Sequence, residues 1–474
     1  MNIPNRHVFK EYDIRGVVDR DLPAPFVQAI GRAFGTFVRR HTGKSQPHLA
    51  LGQDVRLSSP SLHDAIVKGL LETGVNVTEL GPCPTPVVYF SLFHLAVDGA
   101  VQITGSHNPS EFNGFKLCLG KTTIFGADIQ ELRRLIEKDE YAYGTGTVDS
   151  YDILQAYREH QQKRHAVLKE SIRPVKVVID GGNGTAGLVF PQLMRDLGCE
   201  VEELYCTVDG RFPNHHPDPT IPENLAELVR RVKSSGADLG LAFDGDSDRL
   251  GLVDETGRIL WGDEIMILLA RDIVRRHPGA AIIGEVKCSQ RMYDAIEQAG
   301  ARGIMWKTGH SLIKNKMKEE HALLAGEMSG HLFFAEEYFG FDDAMHAALE
   351  LTRILADHLR QGGRGLSELL SDIPPAIATP EIRTDCADER KAQVVADVRA
   401  ALEAHLHTGA APKVRHLITI DGVRAVFEQG WGLVRSSNTQ PILVSRFEAV
   451  SAEQLAHYRQ FMEAIIHDAV RRNA

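Results

Sequence analysis

The sequence has little of several things that mark whole classes of protein. Six cysteines occur in 474 residues, Cys83, Cys118, Cys199, Cys206, Cys288 and Cys386, and none forms a Cys-x-x-Cys pair. This excludes a disulfide framework or a cysteine-based zinc ribbon and leaves small core residues of a reducing compartment. No run of about 18 apolar residues occurs, so no membrane span is expected, and the opening MNIPNRHVFKEYDIRG lacks the apolar core of a secretion signal. Positive charge is not in excess: 53 Lys+Arg stand against 63 Asp+Glu, a formal charge of −10. Phosphate backbones and anionic headgroups would repel such a chain, which argues against nucleic-acid or membrane partners. A cytoplasmic globular protein is expected. No Gly-x-Ser-x-Gly elbow surrounds Ser106, and no Gly-Lys-Ser/Thr follows the glycine-rich run Gly181–Gly187 as a P-loop would need.

What is present is ordinary globular material, 43% hydrophobic and 24% charged. The length suits about three or four domains. Three segments repeat one order of elements. Each opens with a β-rich run ending at a polar turn: His48–Asp54, Val175–Asp180 and Ala281–Val286. A helical pattern follows, as in Ser61–Leu71, then a glycine and a second strand at Gly74–Thr78, Gly198–Glu202 and Gly300–Ile304. A third strand then runs into a polar loop. The pattern predicts parallel βαβ units, and in open α/β sheets ligands lie beyond the carboxyl ends of the strands. The last hundred or so residues differ. Pro374-Pro375 reads as a linker, followed by a charged helix near 388–405, strands at His416–Ile420, Val423–Phe427 and Pro441–Phe447, an Asp421-Gly422 hairpin turn, and helices around 453–472. The expected architecture is α/β: three tandem mixed-sheet α/β domains (1–150, 151–256, 257–372) plus a C-terminal α+β domain (373–474), around a central cleft.

Four loops carry chemistry. Asp244-Gly-Asp-Ser-Asp-Arg249 places carboxylates at i, i+2 and i+4 between apolar flanks, which suits a hard divalent cation such as Mg²⁺ better than a solvated acidic turn. An EF-hand register also exists, with Glu255 at its twelfth position, but Arg249 stands where that loop needs glycine. Thr104-Gly-Ser-His-Asn-Pro109, followed by Asn113-Gly-Phe-Lys116, puts Ser106 at the tip of a tight loop, where its hydroxyl can carry a phosphoryl group or cap its own turn. Adjacency of His107 does not make a triad. Gly326-Glu-Met-Ser-Gly-His331 offers Glu327 and Ser329 on one side of an extended segment, to bond sugar hydroxyls, and a histidine, His331, that could titrate near neutrality. Arg435-Ser-Ser-Asn-Thr439 has the donor inventory of a phosphate monoester site. Gly181–Gly187 reads as a tight strand-to-helix turn, not a nucleotide loop.

Taken together and in this order, from Tyr12-Asp-Ile-Arg15-Gly to the Arg435 loop, the motifs resemble the α-D-phosphohexomutase superfamily, nearest its bacterial phosphomannomutase/phosphoglucomutase branch. The resemblance implies a heart-shaped four-domain enzyme that moves phosphate between O1 and O6 of mannose and glucose phosphates. It implies Ser106 as phosphoserine and metal-facing oxygen, Asp244, Asp246 and Asp248 as Mg²⁺ ligands, and Arg249 beside them. It makes Glu327 and Ser329 readers of the sugar 3- and 4-hydroxyls, and Arg435, Ser437, Asn438 and Thr439 the distal phosphate site. Tyr12, Arg15, Lys116, Lys287, His310 and His331 match further cleft positions, with Lys116 and His331 as rival acid/base groups and His107 and Arg15 counted with Ser106 among the catalytic residues. A glucose or mannose 1,6-bisphosphate activator, hexose phosphate substrates and a monomer or weak dimer go with it. Ser247, Gly105 and Gln440 stand where Gly, Ala and Glu are common. Phosphoglucosamine mutase, a metal-dependent sugar phosphatase and a non-enzymatic metal-binding protein are the alternatives.

Overall fold

The computed structural model describes residues 5–437 and 440–473. Asn438 and Thr439, expected to hold phosphate, lie outside the described residues.

The threefold repeat folds as three sheets of one plan. The first strand of each, His48–Gln53, Lys176–Asp180 or Ala281–Glu285, sits inside its sheet. It pairs in parallel with Asn76–Pro82, Glu200–Leu204 or Arg302–Trp306 on one side. On the other side its parallel neighbour is Gly99–Ile103, Leu239–Phe243 or Leu324–Gly326. An antiparallel strand then returns along the third: Phe112–Leu119, Leu250–Asp254 or Leu332–Phe334. Each chemical loop is therefore the connection between a parallel strand and its antiparallel return. That places all three at equivalent sheet ends, where strand termini leave backbone donors and side chains unpaired. The inner strands are buried on both faces, which their continuous apolar sequence demands.

The fourth unit is a largely antiparallel sheet covered by two long helices, Asp388–Thr408 and Ala452–Arg472. Several expectations need correction. The second strand of the first repeat starts at Asn76 and runs to Pro82, because Gly74 turns at φ +81 and delays it. The strands Ile382–Asp385 and Gly430–Ser436 were not anticipated, and Arg435 lies within the latter, not in a loop. Asp421-Gly422 belongs to a four-residue connection, since the flanking strands end at Ile418 and resume at Val423. One helix, not several, closes the chain. The second sheet also extends past residue 256: Asp254–Gly257 folds back so that Leu252 pairs with Leu260. Among the described residues no helix is long and apolar enough to cross a membrane.

Candidate active site

The serine loop is held from beneath by two side chains that the sequence reading did not single out. Arg56, wholly buried, donates to the carbonyls of Ser106, Asn108, Pro109 and Phe112. Asp54 accepts from the Gly105 amide at 3.1 Å and from Arg56 Nε at 3.1 Å. A β-carbon at Gly105 would lie 2.5 Å from the Arg56 guanidinium, which gives a local reason for glycine there. Five guanidinium N–H donors in a rigid fork suit one residue to satisfying several carbonyls of a tight loop. No motif spacing announces this role. Ser106 itself has φ +50, a conformation that costs a β-carbon-bearing residue on the order of 1 kcal/mol and that collects at functional positions.

The loop meets the acidic loop directly. Ser106 Oγ donates to Asp244 Oδ2 at 3.0 Å and lies 3.1 Å from His107 Nδ1. Asp244, Asp246 and Asp248 are fully buried and each offers an oxygen within 4.8 Å of the others. Burial, then the neighbouring Asp248 and Asp246 carboxylates, push the Asp244 carboxyl well above its ordinary range. Burial acts the same way on Asp248, but the Lys116 ammonium and His331 outweigh it and hold that carboxyl down. Thr85 Oγ1 donates to Asp246 Oδ2 at 2.5 Å, yet Asp246 Oδ1 and Asp248 Oδ1 are buried without a hydrogen-bond partner. Crowded carboxylates with orphaned oxygens and an all-oxygen donor set fit a hard divalent cation. A protein without such a cation would have to hold a proton here. The triad is a candidate metal site.

Lys116 Nζ donates to Asp248 Oδ2 at 2.5 Å and lies 3.5 Å from Asp246. Burial would lower its pKa, but Asp246 and Asp248 more than reverse this, so the ammonium persists. His331 Nδ1 lies 3.0 Å from Asp342 Oδ2, and Arg249 Nε donates to His331 Nε2 at 3.1 Å. Asp342, which the sequence reading passed over, thereby fixes the His331 ring. Arg15 donates to Asn108 Oδ1 at 3.0 Å and bonds Asp13.

The remaining residues converge on Thr308–His310. Tyr12 OH donates to the Thr308 carbonyl at 3.1 Å, and the His310 ring centroid lies 5.5 Å from Tyr12 and 5.8 Å from His331. Glu327 Oε1 accepts from the Gly309 amide at 2.8 Å. Ser329 Oγ donates to Glu327 Oε2 at 2.9 Å, so these two do come together, but through a tight turn and not the extended segment expected. Arg435 Nε donates to Asp421 Oδ2 at 2.8 Å, and Asp421 also accepts from the Thr308 amide. Arg435 Nη2 is buried and lacks a hydrogen-bond partner, a donor left for an anion. Lys287 Nζ lies 2.6 Å from Glu381 and 3.6 Å from Glu285, whose second oxygen accepts from Thr308 Oγ1. Lys391 Nζ donates to the Ser437 carbonyl at 2.6 Å and braces that end of the fourth unit.

The chain that carries this arrangement has known relatives. Models of phosphoglucomutase/phosphomannomutase alpha/beta/alpha domains I, II and III match residues 6–142, 155–257 and 261–377, and that of the C-terminal domain matches 381–465. The chain belongs to the phosphoglucomutase/phosphomannomutase family. The phosphomannomutase/phosphoglucomutase of Pseudomonas aeruginosa is 47% identical over 94% of this chain and 93% of its own. A phosphoglucomutase of Neisseria gonorrhoeae is 43% identical over 97% of both chains. The crystal structure of a phosphoglucomutase/phosphomannomutase family protein from Burkholderia thailandensis superposes with a TM-score of 0.88 at 39% identity, covering 98% of each chain. As a phosphoglucomutase/phosphomannomutase family member, the chain carries all four units of that architecture around the residues described above.

Proposed function

We propose that this protein interconverts the 1-phosphates and 6-phosphates of mannose and glucose through a phosphoserine at position 106 and a hexose 1,6-bisphosphate. One observation carries the reading: the Ser106 hydroxyl lies 3.0 Å from Asp244, at the rim of a buried three-carboxylate cluster. In the forward step the Ser106 Oγ–P bond breaks and an O6–P bond forms. The O6 proton leaves to a base, and the serine oxygen keeps the bonding electrons. The bisphosphate then turns end for end, its other phosphate returns to Ser106, and the cycle closes with no net consumption. Bound to Asp244, Asp246 and Asp248, Mg²⁺ would supply charge neutralisation at the phosphoryl oxygens.

The chain's own groups supply the rest. Lys116, kept cationic by Asp246 and Asp248, offsets charge that spreads over the phosphoryl oxygens. His331 has both ring nitrogens engaged, with Asp342 and Arg249, so it suits orientation of a hydroxyl more than free proton exchange. Glu327 and Ser329 accept and donate to ring hydroxyls that look alike in both orientations of the bisphosphate. The unpaired Nη2 of Arg435 takes the distal phosphate. Tyr12, Arg15, His310 and Lys287 line the path between the two ends, and a hinge near Pro374-Pro375 lets the fourth unit close over the sugar and exclude water. We assign the protein a monomeric or weakly dimeric state, readable by light scattering.

A coupled assay with mannose 1-phosphate, glucose 1-phosphate and glucosamine 1-phosphate, with Mg²⁺ and glucose 1,6-bisphosphate, tests the reading. The first two should give 6-phosphates at comparable rates. Inorganic phosphate as the main product would mean a phosphatase, and preference for glucosamine 1-phosphate would mean a phosphoglucosamine mutase. Ser106→Ala should lose phosphoryl labelling from the bisphosphate and at least about 10³-fold in turnover.

A further inference from the structure

A second constellation lies away from the acidic triad, between the helix Ile153–Arg164 and the helix Ala344–Arg360. His165 follows the first helix, and His346 and Glu350 stand four residues apart on the second, so both project from one face. His165 Nε2 is 3.1 Å from Glu350 Oε1 and His346 Nε2 is 3.9 Å from the same oxygen. All three ligand atoms fall within 4.8 Å, and the three residues are buried.

The hydrogen-bond network around them fixes which atoms carry protons. Tyr338 OH donates to the Asp343 carboxylate at 2.7 Å, so it accepts from Gln161 Nε2 at 2.9 Å. Gln161 Oε1 therefore faces His346 Nδ1, at 3.1 Å, and that nitrogen must be an N–H. His165 Nδ1 lies 3.1 Å from the Gln161 carbonyl oxygen and must also be an N–H. With both Nδ1 atoms donating, both Nε2 atoms face one Glu350 oxygen: His165 Nε2 bonds it at 3.1 Å only with a second ring proton, while His346 Nε2 stands beside it unpaired. A dry cluster of this kind calls for a cation, a proton or a metal ion, between its acceptors. His346 Nε2, wholly buried, has no hydrogen-bond partner at all.

The geometry points to a structural transition-metal site, with His165 Nε2, His346 Nε2 and Glu350 Oε1 as ligands and Zn²⁺ as the ion whose chemistry fits best. Two imidazoles and one carboxylate are a common zinc donor set, and a tetrahedral ion with bonds near 2.0–2.2 Å separates its ligands by about 3.3–3.5 Å, inside the range seen here. Gln161 supplies the outer-shell contacts that orient both rings. The second Glu350 oxygen is taken by Arg353 Nε at 2.9 Å, which leaves Oε1 as a single ligand atom. Two cations flank the site. Arg353 is neutralised by Asp272 and Asp357, while Arg164 lies 3.6 Å from Glu350 Oε1 and 3.5 Å from Glu337. The ion would staple the connector entering the second unit to the helix of the third that begins just after Asp342, the residue holding His331.

Full-length protein, produced with zinc supplied and then dialysed against excess Mg²⁺ and a mild chelator, is analysed for metal by mass spectrometry. One zinc per chain is expected, unchanged in Asp246→Asn and lost in His346→Gln and Glu350→Gln, with a Tm several degrees lower for the zinc-free protein. X-ray absorption at the zinc edge of the wild-type protein should show two imidazoles, which reads the ligands even if the variants do not fold. Zinc-free wild-type protein, zinc that disappears in Asp246→Asn, or absorption without two imidazoles would overturn the assignment and leave a proton shared by His165 and Glu350.

Discussion

At the scale of single residues, two backbone positions decide how the loops are made. Ser106 and Ser247 both sit at positive φ, +50 and +63. Ser247 places its Oγ 2.8 Å from Thr185 Oγ1. Replacing it by glycine relieves about 1 kcal/mol of backbone strain but forfeits a hydrogen bond of about 1 kcal/mol and adds chain entropy to the unfolded state. Ser247→Gly should therefore leave stability within about 1 kcal/mol of the parent in urea titration, whereas Ser247→Val, β-branched and unable to bond Thr185, should cost more than about 2 kcal/mol. Equal midpoints for the two variants would show that the left-handed backbone is not what limits this position. Arg56 is the other residue of this kind. Arg56→Met removes a charged donor from four carbonyls and from Asp54, so about 3–5 kcal/mol of stability and a large part of turnover should go together.

At the scale of elements, the site depends on two loops from different sheets approaching at backbone distance. A β-carbon at Gly245 would stand 2.5 Å from the Ser106 carbonyl oxygen, and backbone cannot yield as a side-chain tip can. Thr85, at the start of the helix Thr85–His94 in the first unit, donates its backbone N–H to the Asp246 carbonyl at 2.9 Å. Gly245→Ala should push the serine loop off the acidic loop. The expected result is a loss of about 1–3 kcal/mol in stability and a kcat reduced by about 10²-fold or more, with KM much less affected, since the phosphate contact proposed at Arg435 belongs to a different unit. A variant with unchanged kcat would mean that the loops need not touch for transfer.

At the scale of the whole molecule, the fourth unit is tied to the third by specific polar contacts. Arg424 donates to the Val286 and Cys288 carbonyls at 2.6 and 2.8 Å and lies over the Trp431 ring at 3.7 Å. Between those carbonyls is Lys287, whose ammonium, helped against burial by other cations, holds the Glu381 carboxyl down at about 2. A carboxyl lowered on folding contributes stability that is present above its ordinary value near 4.5 and is lost as pH falls through about 2. Glu381 is partly exposed, so the pair is worth about 1 kcal/mol or less. Tryptophan emission followed from pH 5 downward should show the wild-type protein losing attachment of the fourth unit over that acid window, and Glu381→Gln should lose less across it while starting from a lower plateau. Coincident acid curves would place the tie elsewhere.

The order of amino acids is enough to specify the repeated strand–helix–strand pattern, the fourth unit of different character and the position of each chemical loop. These are local properties: apolar runs, glycine breaks and clusters of carboxylates or hydroxyls are legible wherever they stand in the chain. It left out Asp54, Arg56, Thr85 and Asp342, because a buried arginine under a loop or an aspartate behind a histidine has no sequence period and acts only across long separations in the chain. It also misjudged the sugar loop, reading an extended segment where a turn brings Ser329 onto Glu327. Tertiary structure alone decided that residues 138 positions apart, Ser106 and Asp244, share a hydrogen bond. Antiparallel return strands set the loops at matching sheet ends, and close packing of glycine against backbone then brings the hydroxyl to the acids.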